Sequence, residues 1–81
     1  MMTVNILAFG IAKDIFGAST ISVELPDAAS ALDLKAELDM RYPRLKQIAS
    51  YLLAVNNEYA GDDLLITERD EIAVIPPVSG G

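Results

Sequence analysis

Residues 20–43 read TISVELPDAASALDLKAELDMRYP, and a change of period inside this stretch decides the fold class. Apolar Ile21, Val23 and Leu25 alternate with polar Thr20, Ser22 and Glu24, the period-two signature of a strand with one wet face. Pro26-Asp27 stops the strand. Ser30 and Asp33 then stand three apart, a capping box with Asp in place of Glu, which predicts a helix opening at Ser30 and running through about Arg41. Ala31, Leu34, Leu38 and Tyr42 recur at helical spacing and form the stripe that packs inward. Pro43 closes the helix, because a residue before proline avoids helical dihedrals.

On the N-terminal side, TVNILAF from Thr3 to Phe9 is β-branched and apolar, with only Asn5 polar inside it, and predicts a largely buried strand. GIAKDIFG follows, with Ile11 and Ile15 four apart and Ala12 and Phe16 likewise, which predicts one short helix ended by Gly17. On the C-terminal side, YLLAVNNEYAG carries a third strand from Tyr51 into a tight turn at Asn56-Asn57. A polar link with Asp62, Asp63, Glu68 and Asp70 leads to a last strand, EIAVI, before Pro76-Pro77. The order is strand, short helix, strand, long helix, then two or three strands. It predicts an α+β mixed sheet with one main helix across one face. The plainer alternative is an unrelated small α+β sandwich, such as a ferredoxin-like domain; the helix between ISVEL and LLAVN serves either, and pattern alone leaves both open.

Composition narrows the chemistry. The 81 residues hold no Cys and no His, which removes the usual zinc sites, thiol nucleophiles and Ser-His-Asp triads, so no metal ligand set is expected. A net charge of −6 repels nucleic acid and anionic lipid, and points to partners that are basic or apolar. No apolar run reaches the roughly 18 residues of a membrane helix, and the start lacks a signal-peptide pattern; a cytoplasmic protein is expected. The stretch from Glu58 to Glu71 holds six carboxylates and one Arg, and reads as a solvated loop.

The end of the sequence, VIPPVSGG, has its own logic. Pro76 and Pro77 cannot donate to a ladder, so the domain is expected to span residues 1–75 and a flexible tail residues 76–81. Two successive prolines favour a stiff polyproline stub. At about 3.3–3.6 Å per extended residue, the tail reaches about 20 Å from the body, enough to enter another protein's active site. Gly80 and Gly81 lack Cβ atoms, so the main chain there can pass a narrow channel. A carboxylate at Gly81 needs activation, for example as an acyl-adenylate, before it reacts. The plainer alternative is a frayed terminus of small residues.

DEIAVIPPVSGG, from Asp70 to Gly81, resembles the MoaD/ThiS family of ubiquitin-like sulfur carriers, and in particular its molybdopterin synthase small subunits. YPRL at Tyr42–Leu45 and AVNNEY at Ala54–Tyr59 are similar to weaker signatures of that family. The resemblance implies a β-grasp fold. It implies that a ubiquitin-activating-enzyme-like adenylyltransferase uses ATP to adenylate Gly81, that a sulfur donor system converts the adenylate to a thiocarboxylate, and that Gly80 serves as its slim neighbour. It further implies a large synthase subunit that receives Pro76, Pro77, Val78, Ser79 and the glycines, in a heterotetramer that builds the dithiolene of molybdopterin from cyclic pyranopterin monophosphate. No cofactor is expected on this chain itself.

By the same resemblance, Phe9, Tyr59 and Ile75 match an apolar contact face, and Lys13 matches a basic position in the short helix. Phe9 and Ile75 also sit in apolar strands, where core packing is the plainer reading. Two positions depart from the family pattern: Arg69 stands where a Gly usually precedes Asp-Glu, and Ile75 replaces a common aromatic. The rival functions are a sulfur carrier for thiazole synthesis, a ubiquitin-like modifier ligated to lysines, and a plain interaction domain.

Overall fold

The computed structural model describes residues 1–47 and 51–76. Strand β1 (Met2–Ala8) leads to helix α1 (Ile11–Phe16), strand β2 (Thr20–Leu25) and helix α2 (Ala31–Arg41). A 3-10 turn (Pro43–Gln47) and strands β3 (Leu52–Val55), β4 (Glu58–Tyr59) and β5 (Ile72–Ile75) follow. The strands form one five-stranded sheet in the order β2-β1-β5-β3-β4. β1 and β5 run parallel at its centre, while β1–β2, β3–β5 and β3–β4 are antiparallel. This mixed sheet crossed by α2 is the β-grasp arrangement, and not the ferredoxin-like one.

Strand alternation sets the two faces. Met2, Val4, Ile6 and Ala8 of β1 are buried with Val23 and Leu25 of β2, and Ile72 and Val74 of β5 join them. Ala31, Leu34 and Leu38 of α2 are each 0% exposed against that layer. Full burial of each Leu contributes roughly 1.5–3 kcal/mol. Thr3 and Asn5 point the other way and are exposed, while Leu7 is half-buried. β1 is therefore a one-sided strand instead of the largely buried one expected, because helices cover a single face of the sheet.

The caps explain where elements stop. Ser30 accepts from the Asp33 N–H at 3.2 Å, and the Asp33 carboxylate accepts from the Ser30 N–H at 2.9 Å, the reciprocal box the sequence predicts. The two remaining N–H groups of the first turn go elsewhere: Ala31 donates to the Leu64 carbonyl at 2.8 Å and Leu32 to that of Asp62 at 3.0 Å. The segment expected to be only a solvated loop thus completes the α2 N-terminus, and it drives Ile66 into the core at 2% exposure. Gly17 ends α1 with φ 74° and donates to the Lys13 carbonyl at 2.9 Å.

Asn56 (φ 54°) and Asn57 (φ 70°) both take left-handed dihedrals between the paired Val55 and Glu58, the geometry a two-residue hairpin requires. Within α1 the structure chooses between the two apolar pairs: Ala12 and Phe16 are buried, whereas Ile11 is half exposed. Phe16 packs on Tyr42 with ring centroids 4.7 Å apart, joining α1 to the end of α2. Among the described residues no helix is long and apolar enough to cross a membrane.

Candidate functional site: the open face of the sheet

The strand registers assemble an apolar row on the uncovered face. Leu7 pairs with Ala73, Ala73 with Ala54, and Ala54 with Tyr59, so these four side chains cross four strands at one level. Ile75 and Leu52 pair one step further toward the C-terminal end of β5. Phe9 follows β1 at that same end. Three large side chains of this group stand well out of the surface, Tyr59 at 71% exposure, Phe9 at 50% and Leu52 at 48%.

Ala54 and Ala73 are too small to fill the space between their neighbours. The result is a depression of about 360 Å³ with Leu7, Phe9, Tyr59 and Ile75 around it and Glu71 and Asn57 at its rim. Phe9 and Ile75 thus line the surface of this depression and are not core, which removes the core reading of those positions. Phe9 lies one residue past the end of β1, which explains why an expected strand position is free to project. Tyr59 belongs to a two-residue strand that ends the sheet. Lys13 is exposed on α1 and does not line the depression.

A hydrogen-bonded turn braces the rim. The Glu71 N–H donates to the Asn56 side-chain oxygen at 2.9 Å, and the Asn56 side-chain amide donates to Asp70 at 3.0 Å. Asp70 also accepts from the Thr67 N–H at 2.8 Å. That backbone N–H, supported by the Asn56 amide, holds the Asp70 carboxyl below its ordinary pKa. Arg69 sits inside this Thr67–Asp70 turn without a positive φ, so the turn closes by side-chain capping and does not need glycine there.

The face is largely apolar. Its lining offers one carboxylate and one phenol, with no paired acid and base and no nucleophile next to a base. Its polarity is divided: the Leu7–Tyr59 half is apolar, whereas Thr3, Asn5, Ser22 and Glu24 at the opposite corner are polar and exposed. The apolar half is the half from which the chain departs. Pro76 follows Ile75 directly and packs beside Gly10, where an added Cβ would come within 3.3 Å of the proline ring. The predicted site residues Pro77, Val78, Ser79, Gly80 and Gly81 lie outside the described residues.

A family model described as the ThiS family matches residues 6–81. The chain belongs to the ThiS family. Among relatives, it is 41% identical to the "Molybdopterin synthase sulfur carrier subunit" of Dictyostelium discoideum, over 95% of this chain and 94% of that one. It is 39% identical to the human protein of the same name, over 96% of this chain and 93% of the other. Among solved structures, it superposes on a "Putative molybdopterin converting factor, subunit 1" from Pyrococcus furiosus with a TM-score of 0.87 and 26% identity, covering 96% of this chain and all of that one. ThiS-family membership accords with the β-grasp sheet and with a match that runs through the Gly-Gly end.

Of the residues that assemble on this face, the sequence points to Phe9, Tyr59 and Ile75 and not to Leu7, Leu52, Ala54 and Ala73. Their parity in the strands was available as a signal, since Leu7 shares phase with exposed Thr3 and Asn5. The register that sets Ala54 beside Ala73 was not, because it depends on pairing strands about 20 residues apart in the chain.

Proposed function

We propose that this protein is the sulfur carrier subunit of a molybdopterin synthase and works in molybdenum cofactor biosynthesis. The observation that carries the reading is the apolar depression of the open face, which ends at Ile75–Pro76, the root of the segment that leads to Gly81. The names of its relatives as sulfur carrier subunits, at 41% and 39% identity over nearly the whole chain, supply the cargo.

In this reading the large synthase subunit docks on Phe9, Tyr59 and Ile75 and receives residues 76–81. Lys13, exposed on α1, meets an acidic group of a partner. The chemistry belongs to the main-chain carboxylate. A ubiquitin-activating-enzyme-like adenylyltransferase directs a Gly81 oxygen onto the α-phosphate of ATP, and pyrophosphate leaves. Sulfide-level sulfur from a donor system attacks the acyl carbon and AMP leaves, giving the Gly81 thiocarboxylate. Inside the synthase the sulfur passes to cyclic pyranopterin monophosphate. Gly80 lets the main chain through the narrow approach. No cofactor bound to this chain is required, and the ATP is consumed by the activating enzyme. All these steps take place in the cytoplasm.

Intact mass spectrometry after incubation with ATP, an activating enzyme and sulfide tests the reading. The expected product carries one sulfur in place of one oxygen, localised to Gly81. An unchanged mass with an enzyme that thiolates a related carrier overturns it, and adducts on lysines of other proteins in place of thiocarboxylate would assign the chain to a modifier role.

A further inference from the structure

β2 is an outer strand of the sheet, and its backbone tells which groups face outward. The Ala8 N–H donates to the Ser19 carbonyl at 2.9 Å, so this is a hydrogen-bonded pair of the antiparallel β1–β2 ladder. Bonded and non-bonded pairs alternate along such a ladder. Ile21, Val23 and Leu25 therefore direct their N–H and C=O groups to β1, while Thr20, Ser22 and Glu24 direct theirs away from it. Among the described residues no backbone hydrogen bond engages these outward groups. A free edge of this length is a template for another strand.

Next to that edge lies a groove of about 330 Å³ between β2 and α2, lined by Leu25, Pro26, Ala36 and Met40 and by the carboxylates Glu24, Asp33 and Glu37. Met40 is 74% exposed over it, a large apolar side chain left in water. No lining residue is basic, and Arg41 next to Met40 is engaged with Glu37 at 3.0 Å.

We propose that this edge and groove form a second docking site, taken by an extended peptide segment of a partner that has alternating apolar residues and basic flanks. The segment pairs its backbone with Thr20, Ser22 and Glu24 and places every second side chain over Ala36 and Met40. Its basic flanks meet Glu24, Asp33 and Glu37. A second copy of this chain fits poorly, because it brings the same carboxylates and a net charge of −6 to the contact. β2 stands two strands from β5, about 10 Å at sheet spacing. A peptide held there leaves the open face and residues 76–81 free, so the carrier can be tethered while its end is used elsewhere.

The test is an amide-shift NMR titration of the full ¹⁵N-labelled chain with the blocked peptide KKVTVTVKK, with EEVTVTVEE as control. The expected result is saturable shifts at Thr20, Ser22, Glu24, Ala36 and Met40 with the basic peptide only. Reversing charge in the double variant Glu24→Lys/Glu37→Lys is expected to weaken binding at least about tenfold. Ser22→Pro removes one outward N–H while keeping the Ile21 and Val23 bonds to β1, and is expected to weaken it similarly. Should Ser22→Pro not give a dispersed spectrum, the charge-reversed variant decides. Absence of shifts, shifts confined to Leu7, Ala54 and Tyr59, equal binding of the acidic peptide, or unaltered binding by a folded variant each overturns the proposal. Concentration-dependent shifts along β2 without peptide would give the edge to a second copy and overturn it as well.

Discussion

Asp70 shows how one side chain fixes a turn that a glycine would otherwise serve. Its carboxylate accepts from the Thr67 N–H and from the Asn56 amide, joining the hairpin turn to the residue before β5. Replacing it by Ala is expected to cost about 1 kcal/mol at neutral pH, at the modest end for a charged acceptor because the site is solvated. The sign with pH follows from the depressed folded-state pKa. The stabilisation is present above the ordinary carboxylate pKa of about 4 and is lost as pH falls through the lower folded value. Urea melts of wild type and Asp70→Ala should therefore converge in acid, and a constant gap would contradict the assignment. Tyr51 works in the opposite sense: burial first, then its 2.9 Å hydrogen bond to Asp39, push its phenol pKa up. That stabilisation is whole below a pH of about 10 and declines as the unfolded chain begins to ionise.

At the scale of elements, α2 is the strut that makes the sheet one-sided, and its stability has two separable sources. The capping box acts at its start, so Ser30→Ala is expected to lower stability by about 1 kcal/mol in denaturant melts. The buried stripe acts along its length, and Leu38→Ala at a fully buried site is expected to cost about 2–5 kcal/mol, a large share of the total for a domain of this size. A Ser30→Ala effect as large as that of Leu38→Ala would mean that the cap anchors more than the helix end. The segment from Gly61 to Ile66 matters to the same element, since it takes the two N–H groups the box leaves over.

For the whole molecule, the buried core and the proposed docking residues lie on opposite faces of one sheet, which lets stability and docking be varied independently. Tyr59→Ala removes an exposed ring from the open face, so the melting temperature should stay within a few degrees while affinity for the large synthase subunit falls more than about tenfold. Unchanged affinity would move the docking surface elsewhere. Deleting Gly81, or adding a residue after it, should abolish thiocarboxylate formation with the melting curve intact; retained sulfur transfer would contradict the proposed chemistry. The surplus of carboxylates predicts that added salt slows association with a basic partner more than it speeds dissociation, as stopped-flow mixing would register.

The sequence by itself determined the order of elements, the start of α2 at Ser30, the end of α1 at Gly17 and the hairpin at Asn56-Asn57. Each of these is local: a cap, a left-handed residue or a change of period is written within four or five neighbours. It also carried the family signature from Asp70 to Gly81, since that motif is contiguous. Only the tertiary structure decided that Phe9 and Ile75 stand on a surface, that Ala54 and Ala73 make its floor, and that the acidic link caps α2. Those outcomes depend on pairing β5 between β1 and β3, and such contacts join residues distant in the chain that no local pattern can specify. The open apolar face is defined by what α2 does not cover, and coverage is a property of the packed molecule.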